Sequence, residues 1–217
     1  MAMDFVRPIA TTFDVSEDTI KSIAQSGKVY AEHAKDALAG RNLWAIDEDE
    51  RLALYCVTRL VNPTCAVETG VGSGVSSSMI LGALKDSGSK GRLHSIDKGE
   101  KYGNESRSYP VGYIVPEELR TLWSLHIGNS KVELPALLHE VKNIQMFLHD
   151  SEHTHEHVTF ELNQARMHLS EGVIVIDNYT WTNAPEEFAR RIGSKVVHLT
   201  GDMALIPSTL ARNNLHN

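Results

Sequence analysis

Residues 146–160 read MFLHDSEHTHEHVTF and pack four histidines (His149, His153, His155, His157), Asp150, Glu152 and Glu156 into nine positions. Imidazoles exchange protons near neutral pH and ligate metals, and carboxylates favour hard cations, so this density points to metal binding or proton transfer. His153, Glu156 and His157 spell H-x-x-E-H; on a helix starting near Thr154, His153 and His157 stand four apart and share a face. Two other stretches concentrate functional groups. AVETGVGSGVSSSM supplies Glu68, Gly70, Gly72, Gly74 and Ser76, and VIDNYTW supplies Asp177, Asn178, Tyr179 and Trp181.

These groups sit at the ends of short apolar runs. The runs are 64–69, 92–97, 123–127, 144–150, 172–177, 195–200 and 203–208, with helical candidates between them at 75–86, 116–122, 131–141, 154–169 and 184–192. Short β-branched runs alternating with helices indicate βαβ units and a mostly parallel sheet. A short TGD turn between the last two runs makes them a hairpin and the final strand antiparallel. Ligands of open parallel sheets bind beyond the carboxyl ends of the strands. Those ends carry Glu68, Asp97, Gly128-Asn129-Ser130, Asp150 and Asp177-Asn178. Polar groups at five successive ends are hard to attribute to turns alone. Upstream, residues 1–14 read as an irregular arm and 16–39 as a polar helix. A second helix begins after Asp47, a good N-cap, and stops at Asn62-Pro63. Residues 98–114 form one long polar loop of the kind that serves as a lid or binding loop.

The chain's 217 residues, 41% apolar and 23% charged, suit one soluble globular domain. Its net charge of −7, spread without blocks, argues against a nucleic-acid or anionic-membrane partner. The first residues lack the pattern of a signal peptide and no stretch is long enough to span a bilayer, so the expectation is a cytoplasmic protein. Cys56 and Cys65 fall in apolar patterns and read as inert core residues.

The strand, glycine turn and helix around E-x-G-x-G-x-G resemble the cofactor motif of class I S-adenosylmethionine (SAM)-dependent methyltransferases. Val75 stands where a dinucleotide fold would have its third glycine, and no G-K-[ST] follows. The resemblance implies that Glu68, Gly70, Gly72 and Ser76 hold the methionine end of SAM. It places Asp97 on the ribose hydroxyls and Asn129 and Ser130 at the adenine. VGYIVPEELRTLWSLHIGNSKVELPALL followed by FLHDSEHTHEH is similar to small methyltransferases of sugar and natural-product pathways, and the likeness runs from about residue 45 to 208.

LHDSEH and VIDNYTW together resemble the paired motifs of divalent-cation-dependent, catechol-type O-methyltransferases. That likeness implies a cation, Mg²⁺ by its oxygen donors, on Asp150, Asp177 and Asn178, with Asp150 also neighbouring SAM. It puts His153 where the family has a lysine base; an imidazole there can take a hydroxyl proton near neutral pH without special tuning. Tyr179 and Trp181 would wall the substrate. H-x-x-E-H is also the signature of inverted zinc peptidases. That reading needs a further ligand and a peptide cleft, while the rest of the chain is already committed to strands and a helix. His155 then reads as a solvated or capping residue and His157 as packing or bracing. Tyr102, Tyr109 and Tyr113 would help close over the cofactor, and Lys98 and Arg107 would meet an acidic substrate or solvent.

The resulting expectation is α/β: a Rossmann-like class I methyltransferase with seven strands, mainly parallel with one antiparallel, and helices on both faces. It is a single domain over 1–217, with a helical cap at 1–60 and a SAM-binding core at 61–208. It would act on a small-molecule hydroxyl, with homodimerisation possible. The alternatives are a metal-independent methyltransferase using His153 alone, an NAD(P)-linked oxidoreductase and a non-catalytic SAM-binding protein.

Overall fold

The computed structural model describes residues 3–39, 45–88, 90–99 and 109–208; Tyr102 and Arg107 of the long loop lie outside them. Three helices come first: α1 (Val6–Phe13), α2 (Glu17–Leu38) and α3 (Glu48–Val61). The alternating part follows as β1 (Cys65–Thr69), α4 (Val75–Asp86), β2 (Arg92–Asp97), β3 (Trp123–Ile127), α5 (Ser130–Val141), β4 (Ile144–His149), α6 (His155–His168), β5 (Leu169–Ile176), α7 (Ala184–Arg191), β6 (Val197–Thr200) and β7 (Met203–Pro207).

Among the described residues the strands form one seven-stranded sheet in the order β3-β2-β1-β4-β5-β7-β6. β1, β2, β3, β4 and β5 pair in parallel, and β7 runs antiparallel to both β5 and β6. This is the Rossmann-like class I methyltransferase arrangement, mainly parallel with the expected hairpin. The strand order reverses between β1 and β4, which opens the crevice where such sheets take ligands.

Alternation along the strands feeds two cores. Met146 and Leu148 of β4 join a cluster with Leu54, Met79 and Leu81 from α3 and α4, while Phe147 between them joins Leu134, Leu162 and Phe188 from α5, α6 and α7. The helical cap therefore covers one face of the sheet and α5, α6 and α7 the other. Tyr30 of α2 and Tyr55 of α3 both donate to Asp86 at the end of α4, at 2.8 and 2.6 Å, which ties the cap to the core.

Two expectations are corrected. Residues 1–14 are not an irregular arm: Val6–Phe13 is helical, with Val6, Ile9 and Ala10 buried. Pro8 is compatible with that helix because it lies in the first turn, where the N–H it lacks has no intrahelical partner anyway. The segment near 116–122 forms a 3₁₀ helix, Glu117–Leu122, rather than an α-helix.

Candidate functional site

The glycine turn brings the ends of β1 and β4 together. Gly70 has φ +82°, and a Cβ there would collide with the backbone carbonyl of Asp150. Only glycine combines that conformation with that approach. Gly74, at φ +97°, caps α4. Glu68, fully buried, accepts hydrogen bonds from Ser76, Ser77 and Ser95 at 2.5, 2.6 and 2.6 Å. Burial raises its pKa and the three hydroxyls oppose the shift. Asp97 takes the N–H groups of Val71 and Gly72 at 2.9 and 3.1 Å on one oxygen and that of Gly99 at 2.8 Å on the other. Asp97 thus fastens the glycine turn, and Glu68 ties the first turn of α4 to β2.

Above the turn lies a cavity of about 850 Å³. Gly70, Gly72 and Ser76 line it on the cofactor side, Asp150, Ser151, His153, Asp177, Asn178 and Trp181 on the other, and Ile46 and Glu50 of the cap close it. Among the described residues, Asp150, His153 and Asp177 form a group whose potential donor atoms lie within 4.8 Å of one another. Burial and the neighbouring Asp177 raise the pKa of Asp150 well above its ordinary value. Burial and then Glu50 lift Asp177 to about 7. Two carboxyls held together, that of Asp177 buried and that of Asp150 half-buried, are eased by a proton or a cation between them, so the oxygen-rich set fits a hard divalent ion.

His153 is pushed down to about 4, first by burial and then by His149. The expectation that it needs no tuning is therefore corrected: the site keeps it neutral. Asn178 donates from its amide nitrogen to Asp177 at 2.7 Å, and the same nitrogen lies 3.3 Å from His153 Nε2. That orientation makes Nε2 the accepting nitrogen and leaves the proton on Nδ1, which is buried without a hydrogen-bond partner. Asn178 thus presents a donor to the group, and His153 takes the third place in it. The ring of Trp181 meets His153 edge-on at 5.2 Å between centroids. Tyr179 turns the other way, into a separate groove of about 410 Å³ with Arg190 and His198.

The H-x-x-E-H residues disperse. Glu156 pairs with Lys131 at 3.2 Å and His155 with Glu187 at 3.1 Å, both at the surface. His157 Nε2 lies 2.8 Å from Glu161 and 3.0 Å from Ser130 Oγ. Glu161 is fully buried and also takes His149 Nδ1 at 2.7 Å, Thr69 at 2.5 Å and Ser151 at 3.0 Å. Burial opposes its charge, but the hydrogen bonds from His149 and His157 win and hold its pKa well below the usual carboxylate range. Sequence reasoning missed Glu161. Its signal was a lone acid among the buried stripe Val158, Leu162 and Ala165. Asn129 caps α5 by accepting from the Lys131 N–H at 2.9 Å. Glu50 was missed too, because it reads as half of a capping box.

Residues 67–179, more than half of the chain, match a family model described as a methyltransferase domain. No curated protein matches the sequence. Solved structures share the fold. The O-methyltransferase TomG from Streptomyces achromogenes, involved in tomaymycin synthesis and in complex with SAM, aligns at 17% identity over 84% of this chain and 89% of that one, with a TM-score of 0.58. The O-methyltransferase from Bacillus cereus in complex with S-adenosylhomocysteine (SAH) aligns at 12% identity over 96% and 98%, with a TM-score of 0.55. A methyltransferase from Geobacter sulfurreducens aligns at 16% identity over 81% and 86%, also with a TM-score of 0.55.

Proposed function

The chain belongs to the methyltransferase-domain family, and from that premise we propose that it moves a methyl group from SAM to the hydroxyl of a small molecule with the help of Mg²⁺. SAM supplies an electrophilic methyl when bound, and the cation supplies positive charge at the acceptor oxygen. Gly70, Gly72 and Ser76 form the wall for the methionine end, with Glu68 fixing Ser76 from below. Asp97, beneath the glycine turn, would take the ribose hydroxyls, and Asn129 and Ser130 would serve the adenine. Asp150 and Asp177 would hold the cation and Trp181 would pack the acceptor; a flip of the Asn178 amide would bring its oxygen to the cation and free His153 Nε2 to take the acceptor's proton.

The observation that carries this reading is the convergence of Asp150, His153 and Asp177 in one wall of the cavity beside the glycine turn. A base held as low as about 4 is a weak one, and a cation on the two aspartates would supply the acidity that its partner hydroxyl lacks. Much of the rate then comes from holding nucleophile and methyl in line. SAH release from SAM, measured against a panel of catechols, simple phenols and sugars, tests the proposal. Activity should vanish with EDTA and return with Mg²⁺; activity indifferent to chelation would remove the cation.

One contact favours a second reading. The Asn178 amide bridges Asp177 and His153 directly, so in a metal-independent transfer the His153 ring is already held in place and an acceptor hydroxyl has only to displace the amide from Nε2. The chelation experiment separates the two. No helix among the described residues is long and apolar enough to cross a membrane. A cytoplasmic homodimer completes the proposal, and sedimentation of the purified chain checks its oligomeric state.

A further inference from the structure

Glu50 is a capping residue with a second attachment. Its Oε2 accepts from the Asp47 N–H at 2.8 Å while Asp47 Oδ1 accepts from the Glu50 N–H at 2.8 Å, closing the capping box of α3. Such a box needs one oxygen of the glutamate. The other, Oε1, accepts at 2.9 Å from the N–H of Asp202, in the turn between β6 and β7. The turn is shaped for it: Gly201 has φ +53°, and a Cβ there would collide with Glu50 Oε1.

Asp202 passes the connection on. Its carboxylate takes Thr180 Oγ1 at 2.7 and 2.9 Å and the Thr180 N–H at 3.2 Å, and its carbonyl takes the Tyr179 N–H at 3.1 Å. Tyr179–Trp181 is a single 3₁₀ turn, so holding its first two residues fixes the third. Trp181 is 59% exposed, so little packing fixes it otherwise, and its ring edge meets His153. Glu50 itself is buried and lines the same cavity.

We infer that Glu50 is a positioning residue for the acceptor: it clamps the helical cap to the β6–β7 turn and, through Asp202 and Thr180, sets Trp181 against His153. The inference rests on the methyl-transfer reading for its functional part, in which Trp181 faces the acceptor. Its structural part stands without that reading. The clamp belongs to the acceptor side, because none of its hydrogen bonds reaches Gly70, Gly72 or Ser76.

The test uses the full chain labelled with 5-fluorotryptophan, whose ¹⁹F spectrum has one resonance for each of three tryptophans; Trp181→Phe identifies that of Trp181. Glu50→Gln keeps the shape but cannot accept both N–H groups. Thr180→Val removes the hydroxyl's hold on the Asp202 carboxylate at an exposed position, loosening the last link to its backbone bonds, and guards against a folding defect in the first variant. Both should shift or broaden the Trp181 resonance and leave that of Trp123 in place. Catechol with SAM and Mg²⁺ serves as the functional probe. Both variants should raise its KM roughly tenfold, as misplacement of a reactant does, and leave the SAM Kd unchanged. A Trp181 resonance unmoved in both variants overturns the clamp. A moved resonance with unchanged catechol KM overturns its positioning role. Wild type that fails to bind SAM or to methylate any of the panel sinks the methyl-transfer reading instead, and the ¹⁹F result still decides the clamp.

Discussion

Asp150 and Asp177 follow neighbouring parallel strands and bring their oxygens within 4.8 Å of each other, and Asp177 helps to raise the pKa of Asp150. Asp177 has its pKa raised from 3.8 to about 7, first by burial and then by Glu50. A raised carboxyl contributes stability that is full below its unfolded value and lost as pH rises through its folded value. The metal-free protein should therefore weaken between pH 6 and pH 8. Asp177→Asn removes that loss. Its metal-free Tm should exceed wild type at pH 8 by a few degrees, on the scale of about 2–4 °C per kcal/mol for a chain of this size, and the gap should shrink at pH 6. Mg²⁺ should raise the wild-type Tm at pH 8 and leave the variant unmoved. Differential scanning calorimetry at both pH values reads all four outcomes.

Asp97 offers a different test, because it accepts three backbone N–H groups in the protein alone. Asp97→Ala strands the buried N–H of Val71, at about 1–3 kcal/mol for a donor left unsatisfied, and frees the more exposed ones of Gly72 and Gly99 to water. A residue serving only as a ribose acceptor would lower SAM affinity without lowering stability. Here both should fall: a lower Tm in the absence of SAM, and calorimetric SAM binding weakened by about a hundredfold, near 2.7 kcal/mol. Asp97→Asn keeps one acceptor and should fall between.

The sheet was legible because each strand is a short apolar run closed by a polar residue, and periodicity carries that information locally. Gly70 and Asp150 were legible as ends, although the contact between them joins residues far apart in sequence. The parts that stayed hidden are side chains whose partners come from elsewhere in the chain. Glu161 looks like an ordinary helix acid until β1 and β4 bring Thr69 and His149 to it. Tyr179 and Trp181 are two positions apart, yet the 3₁₀ turn sends one to the cavity and the other to a different groove. The charge state of His153 was equally hidden, since burial sets it and residue type does not.

Glu161 gives the opposite sign from Asp177. Its pKa lies below the ordinary 4.5 despite burial, because His149, His157 and Thr69 donate to the charged form. A depressed carboxyl contributes stability that is present above its unfolded value and lost as pH falls through its folded value. Glu161→Gln puts an amide N–H₂ against histidine donors and should cost about 2–3 kcal/mol, the worth of a charged hydrogen bond. Urea unfolding at pH 7 should show that loss. The gap from wild type should narrow as pH drops below about 4.5, because wild type is then losing the same interaction.

His153 can be separated from the aspartates by the pH dependence of turnover. Its pKa of about 4 leaves it neutral throughout the range from pH 5.5 upward, so its own protonation imposes no acid limb near 6.5. Any acid limb near 7 then belongs to the Asp150–Asp177 pair, where protons would compete with Mg²⁺ for the same oxygens. Raising the Mg²⁺ concentration should move such a limb to lower pH. A limb fixed near 6.5 at every Mg²⁺ concentration would assign it to an untuned imidazole and refute the depressed value. His153→Ala should lower kcat by about 10²–10⁴, the usual contribution of a general base, with the SAM Kd unchanged. The two results bear on each other. A large loss in the alanine variant together with a Mg²⁺-movable limb means that His153 takes the proton while the aspartates decide when it is ready to leave. A large loss with an immovable limb means that His153 does both.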